Sequence, residues 1–219
     1  MAPLWLSVLA LVWLAISILC ALALIVVEWR DPRKMAIMNV VWPVTALYMG
    51  PFAVAAFYAM STPARAAKPK AKPFWQSTFV AVTHCGGGCT LGDIIAESAI
   101  FMTGFTFAGT LFVSYLVGDY VMAYVLGIVF QYFSIAPMRG ISGPPAVWAA
   151  IKADTLSLTA FEVGLFAWMG LSHAVFFHPD VKPDQPVYWF MMQIGMCIGF
   201  ATAFPMNWWL LKAGIKEKM

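Results

Sequence analysis

The sequence predicts an all-α integral membrane protein of about six transmembrane helices. Composition is the first reason: 62% of the 219 residues are hydrophobic and 11% charged, where soluble domains carry about a quarter charged residues. Length is the second, because several apolar runs are long enough to cross ~30 Å of hydrocarbon. The third is pattern. The runs are continuously apolar, without the period-two alternation of a membrane β-barrel, so helices are the one backbone form that satisfies itself in lipid.

The expected spans lie near 4–27, 36–60, 91–115, 118–136, 156–177 and 187–211. The first contains Ala21-Leu22-Ala23, which resembles a signal cleavage site. It lacks a basic start and stays apolar through Val27, so it is expected to be retained. Residues 1–60 form an N-terminal helix pair, and 61–74 is a linker extended by prolines and basic residues. Residues 75–219 form a four-span unit holding every unusual polar group. No internal repeat of the transporter kind is visible.

Six spans put both termini on one side, expected to be the cytoplasm. The basic tally is then nine inside (Arg65, Lys68, Lys70, Lys72, Arg139, Lys152, Lys212, Lys216, Lys218) against four outside (Arg30, Arg33, Lys34, Lys182). The first loop violates the rule. These residues read as topology signals, with Lys212, Lys216 and Lys218 as interface anchors, and not as a nucleic-acid patch.

Two stretches exceed one span. A straight helix from Phe74 to Tyr115 would reach about 60 Å, so a bend is expected at Gly86-Gly87-Gly88, with 75–85 along the membrane surface. Ala146 to Phe177 has a similar excess. On this reading His84, Cys85, Cys89, Asp93, Met138 and Asp154 come to one level near the inner surface.

The chemistry concentrates in His84-Cys85-Gly86-Gly87-Gly88-Cys89-Thr90-Leu91-Gly92-Asp93 and, one turn on, Glu97. An ionisable group in lipid costs several kcal/mol, of order 2.5–3.5 for an Asp at a helix centre, so it marks a site. Cys85, Cys89, Asp93 and Glu97 are each four apart, so neighbours in the series share a helical face. Gly88, Gly92, Ala96 and Gly104 form a small-residue row for close helix packing. Two thiols and an imidazole suit a soft ion, with copper favoured and zinc second. His84, Cys85 and Cys89 are the candidate ligands, with Met138 a fourth. Asp93, Glu97, Asp154 and Glu162 make a candidate ion or proton path, the last two on a polar stripe with Lys152, Thr155 and Thr159. Met192 and Met196 suggest a relay, though gap-filling is the commoner use of Met. Cys20 and Cys197 stand alone as packing residues.

The His84–Asp93 motif resembles the hallmark of a bacterial membrane protein family known only as a domain of unknown function. Gly127 to Met138, Lys152 to Leu158, Pro205-Met206-Asn207-Trp208-Trp209 and Gly214 to Met219 also resemble it. The resemblance covers about 75–219 and implies a multi-pass protein of the bacterial inner membrane. The expected function is non-enzymatic: binding, and transport or handling, of a soft metal ion. Two alternatives stay open, a thiol–disulfide oxidoreductase cycling Cys85 and Cys89, and an accessory subunit docking through the glycine face. The expected partners are the lipid bilayer and the metal ion, with a homo-oligomer or larger membrane complex also open.

Overall fold

The computed structural model describes residues 2–65, 73–177 and 181–217. Seven α-helices follow in order: α1 Leu4–Arg30, α2 Met38–Met49, α3 Pro51–Met60, α4 Phe74–Thr103, α5 Leu111–Arg139, α6 Pro144–Leu171 and α7 Pro186–Lys212. A π-helical turn, Ser172–Phe176, extends α6. Among the described residues no strand forms, and five helices (α1, α4, α5, α6 and α7) are long and apolar enough to cross a membrane. Proline opens α3, α6 and α7, where its missing N–H costs nothing. Left-handed Gly104 and Gly140 close α4 and α5.

The expected second span is two short helices that turn back. α2 has 12 residues, about 18 Å at 1.5 Å per residue, too short to cross. At Gly50 (φ +55) the chain reverses beside Trp13 and Ser17, at the middle of α1. α3 then returns to where α2 began. Arg33 pairs with Pro63, the Ala64 N–H donates to Pro32 O at 2.8 Å, and Arg65 meets Asp31 at 3.3 Å. Inside a continuous helix the Leu47 carbonyl would bond residue 51, which is proline and has no N–H. Gln193 Nε2 of α7 donates to Leu47 O instead, at 2.5 Å. Cys197 Sγ of the same helix reaches Tyr48 O at 3.8 Å, so α7 serves carbonyls that the break leaves free.

Among the described residues, five helices of membrane-spanning length and one short helical hairpin stand where six spans were expected. Ala2 and Leu6 pack with Phe177, Val181 and Val187. The C-terminal segment instead lies beside the start of α4 and the end of α5: Lys216 reaches Ala81 O, and Glu217 pairs with Arg139 at 2.6 Å. The termini therefore sit at opposite ends of the bundle. The Met35 loop joins the C-terminal end too, since Ser134 Oγ donates to Met35 Sδ at 3.3 Å. Arg30, Arg33, Lys34, Arg65, Arg139, Lys152, Lys212 and Lys216 all lie toward that basic end. Lys182 alone of the described Lys and Arg residues lies toward the other. The loop that broke the charge rule breaks it only if α2–α3 is counted as a span. Lys68, Lys70, Lys72 and Lys218, and half of the expected linker, lie outside the described residues.

The glycine elbow is also corrected. α4 runs unbroken through Gly86–Gly88, and the chain bends at Gly104. Successive helical residues point about 100° apart, so each glycine meets a different neighbour. Gly86 faces Phe161 of α6 and Tyr48 of α2, Gly87 faces Val41 of α2, and Gly88 faces Gly127 of α5. A Cβ on Gly88 would lie 3.0 Å from the Gly127 Cα. The missing side chains are used for close approach on every side, not for bending.

Candidate functional site

Encirclement buries the whole middle of α4. Cys85, Cys89, Asp93 and Glu97 are each 1% exposed or less. They form a row that winds slowly around α4 over a twelve-residue interval, about 18 Å along the axis. α6 supplies the facing acids, with Asp154 beside Cys85 and Glu162 beside Cys89, and Cys89 also adjoins Cys85. Asp93 lies between Glu162 and Glu97. Glu97 meets Asp119 of α5 and Tyr188 of α7. The result is a file of polar groups through the bundle: Asp154, Cys85, Cys89, Glu162, Asp93, Glu97 and Asp119. These groups are strung along the axis and do not share one level near a surface, because α4 stays straight where the bend was expected.

Lys216 closes the basic end. After α7 the chain turns through Gly214 (φ +69), and the N–H groups of Ile215 and Lys216 donate to Leu210 O at 3.0 and 3.2 Å. This Schellman-like turn drives the lysine inward, leaving it 2% exposed. Its Nζ lies 3.8 Å from Asp154 Oδ1 and donates to Asn207 Oδ1 at 2.9 Å and Ser157 Oγ at 3.4 Å. The interface anchor expected at Lys216 is thus a buried counter-ion. At the far end of the file Glu97 and Asp119 line a cavity of about 310 Å³ with Tyr115, Tyr188 and Lys182.

The charge balance along this file is unequal. Five buried carboxyl groups (Asp93, Glu97, Asp119, Asp154 and Glu162) face one buried ammonium, Lys216. Both oxygens of Asp93 and of Glu162, with one each of Glu97 and Asp119, have no hydrogen-bond partner. Uncompensated buried charge costs several kcal/mol per ion. The file must therefore carry protons or exchangeable cations.

The candidate metal quartet is only partly gathered. Cys85 and Cys89 are neighbours, but His84 points toward α5, its ring centroid 6.3 Å from that of Phe130. Met138 is exposed near the end of α5. Among the described residues, no group of three or more His, Cys, Asp and Glu side chains is arranged to hold a metal ion. Met192 and Met196 share the cysteines' hydrophobic cluster, and Thr90 Oγ1 donates to Met196 Sδ at 3.6 Å.

The small-residue row divides as well. Gly88, Gly92 and Ala96 lie against α5, where a Cβ on Gly92 would run into the Ala123 backbone. Gly104 instead caps the helix, with open space around it. On α6, Thr155 and Thr159 meet the hydroxyls of Tyr124 and Tyr120 at 3.1 and 3.0 Å, while Lys152 lies outside over Trp148. The stripe is a clamp between α5 and α6, and the file takes only Asp154 and Glu162 from it. Asp119 escaped the sequence reading, and Lys216 and Asn207 were read there without a place in the site. Asp119 carried a signal, standing in a four-residue row with Tyr115, Ala123, Gly127 and Gln131. Gly127 leaves room for Asp154, whose carboxylate a Cβ there would strike.

Residues 74–216, from the first residue of α4 to the buried lysine, match the model of a family described as a domain of unknown function, DUF4396. The chain belongs to the DUF4396 family. No curated protein and no solved structure matches it. The DUF4396 region contains every member of the file and Lys216, whereas α1 and the short α2–α3 hairpin precede it. That hairpin nonetheless touches the DUF4396 region, because Tyr48 packs in one cluster with Cys85 and Cys89.

Proposed function

We propose that this DUF4396 protein binds a soft transition-metal cation within the membrane and moves it along the inner face of α4, with copper favoured and zinc second. One observation carries the reading: Cys85, Cys89, Asp93 and Glu97 form an unbroken buried row in which both Asp93 oxygens and one Glu97 oxygen lack a hydrogen-bond partner. Cys85 and Cys89 bind the ion. Met192 and Met196 bring thioethers to the same core in place of the exposed Met138. A thiol loses its proton when it takes a metal, and Asp154 and Glu162 stand beside the two thiols to receive those protons. Asp93, Glu97 and Asp119 continue the path, and Lys216 holds the charge balance at its basic end.

The excess of basic residues orients that end toward the cytoplasm of a bacterial inner membrane, with the N-terminus outside. A periplasm-dependent reporter should be active when fused at the N-terminus and inactive at the C-terminus. Equal activity at both would sink the five-crossing topology.

The redox alternative fits less well. Helical residues four apart hold their Cβ atoms about 5–6 Å apart, where a disulfide needs roughly 3.5–4.5 Å. Closing one would require α4 to unwind at its most tightly packed turns. Docking through the glycine face fares no better, since α5 already covers Gly88 and Gly92.

The deciding experiment is elemental analysis of reduced, anaerobic, detergent-purified protein beside a Cys85→Ser/Cys89→Ser variant. Near-stoichiometric copper or zinc is expected in the parent and none in the variant. Absence from both after loading would overturn the reading.

A further inference from the structure

The vestibule away from Lys216 has its own chemistry. Its floor is Glu97 of α4 and Asp119 of α5, only 1% and 2% exposed, yet both line the cavity of about 310 Å³. Glu97 Oε2 and Asp119 Oδ1 are buried without any hydrogen-bond partner. The other charged and titratable groups around them come from every neighbouring element. Tyr115 is on α5, Glu162 on α6, Tyr188 on α7, His173 on the π-helical turn, Lys182 and Asp184 in the following loop, and Asp93 one turn along α4. None is a buried cation in contact with the pair. Cys89 lies eight residues back from Glu97, about 12 Å along the helix.

We infer that Glu97 and Asp119 form a second, oxygen-donor cation site at the floor of this vestibule, suited to a hard divalent ion of the Mg²⁺ or Mn²⁺ class. Carboxylate oxygens select hard cations, whereas thiolates select soft ones. A divalent ion matches the two negative charges that the pair carries when ionised. Small hard ions also keep several of their waters and bind through one or two carboxylates. The cavity has room for this, since a water takes about 30 Å³ of liquid volume. The inference extends the cation-path reading with a separate ligand class and a separate readout. The soft ion would meet sulfur at the centre of the file, and the hard ion oxygen at its mouth.

The test is Mn²⁺ titration of purified full-length protein, read by loss of the free-ion EPR signal, with Mg²⁺ as competitor. The expected result is one Mg²⁺-displaceable Mn²⁺ per chain. Asp119→Asn and Glu97→Gln should each weaken binding by about tenfold or more, the scale on which metal sites lose affinity. Cys85→Ser/Cys89→Ser should bind Mn²⁺ as the parent does. No Mn²⁺ binding by the parent at millimolar ion, or parent-like binding by both carboxyl variants, would overturn the inference. Because the parent's titration is decisive alone, misfolding of either variant leaves the inference open to refutation. Mn²⁺ bound without copper, or copper without Mn²⁺, tells failure of one site from failure of the other.

Discussion

The two ends of the buried file solve one problem in opposite ways. At the basic end Asp154 is matched by Lys216, an ammonium tethered by a turn of the same chain and held further by Asn207 and Ser157. At the vestibule end Glu97 and Asp119 have no buried cation and border open space. A tethered cation cannot leave, whereas a carboxyl pair beside a cavity exchanges whatever balances it. The file is therefore polar in direction as well as in composition, closed by a covalently attached charge at one end and bordered by a cavity at the other.

Removing the tethered charge is the hardest test of that contrast. Lys216→Met should cost about 3–5 kcal/mol, the usual penalty for stranding a buried partner, read as a large drop in thermal midpoint in detergent. Adding Asp154→Asn should recover most of the loss, because the stranded charge goes with it. If the double variant is no more stable than the single, the pair does not set the balance at this end. Asp119→Asn at the vestibule should not destabilise comparably, since no fixed partner is lost.

The packing beneath the file comes next. Gly92→Ala forces a methyl into the Ala123 backbone, and overpacking of this kind costs about 1–3 kcal/mol. Gly104→Ala meets no neighbour, but its φ of +65 makes the change unfavourable by about 1 kcal/mol. Thermal unfolding of the two variants should rank them in that order. The reverse order would mean that α4 and α5 adjust more freely than their close approach implies.

The smallest effect belongs to the latch on the tail. Arg139 and Glu217 are about one-third exposed, so Glu217→Gln should change stability by about 0–1 kcal/mol. A loss as large as that of Lys216→Met would make the outer ion pair, not the buried one, the element that holds the tail in place.

Local spacing carried much of the site. Neighbours in the series Cys85, Cys89, Asp93 and Glu97 share a face because any α-helix turns a four-residue interval into a row, whatever packs against it. Asp119 and Lys216 join that row only through α5 and a C-terminal turn, contacts separated by tens of residues. His84 and Met138 show the converse. Their side-chain chemistry matched the cysteines', but His84 is one residue, and so about 100°, off the row, and Met138 lies on another helix near its end. The helical hairpin was half visible: Gly50-Pro51 announces a break, but the contacts of Arg33 with Pro63, Pro32 with Ala64 and Asp31 with Arg65 are what show that the chain returns the way it came.

The membrane class, the helical backbone and the row on α4 follow from the sequence itself, since hydropathy, backbone hydrogen bonding and the helical period act within a few turns of chain. The short helical hairpin in place of a second long helix, the opposed ends of the chain, the burial of Lys216 and the use of three glycines for contact were decided by tertiary structure. Each depends on which helix lies alongside, and a neighbour's proximity is energetic information that no local stretch of chain contains.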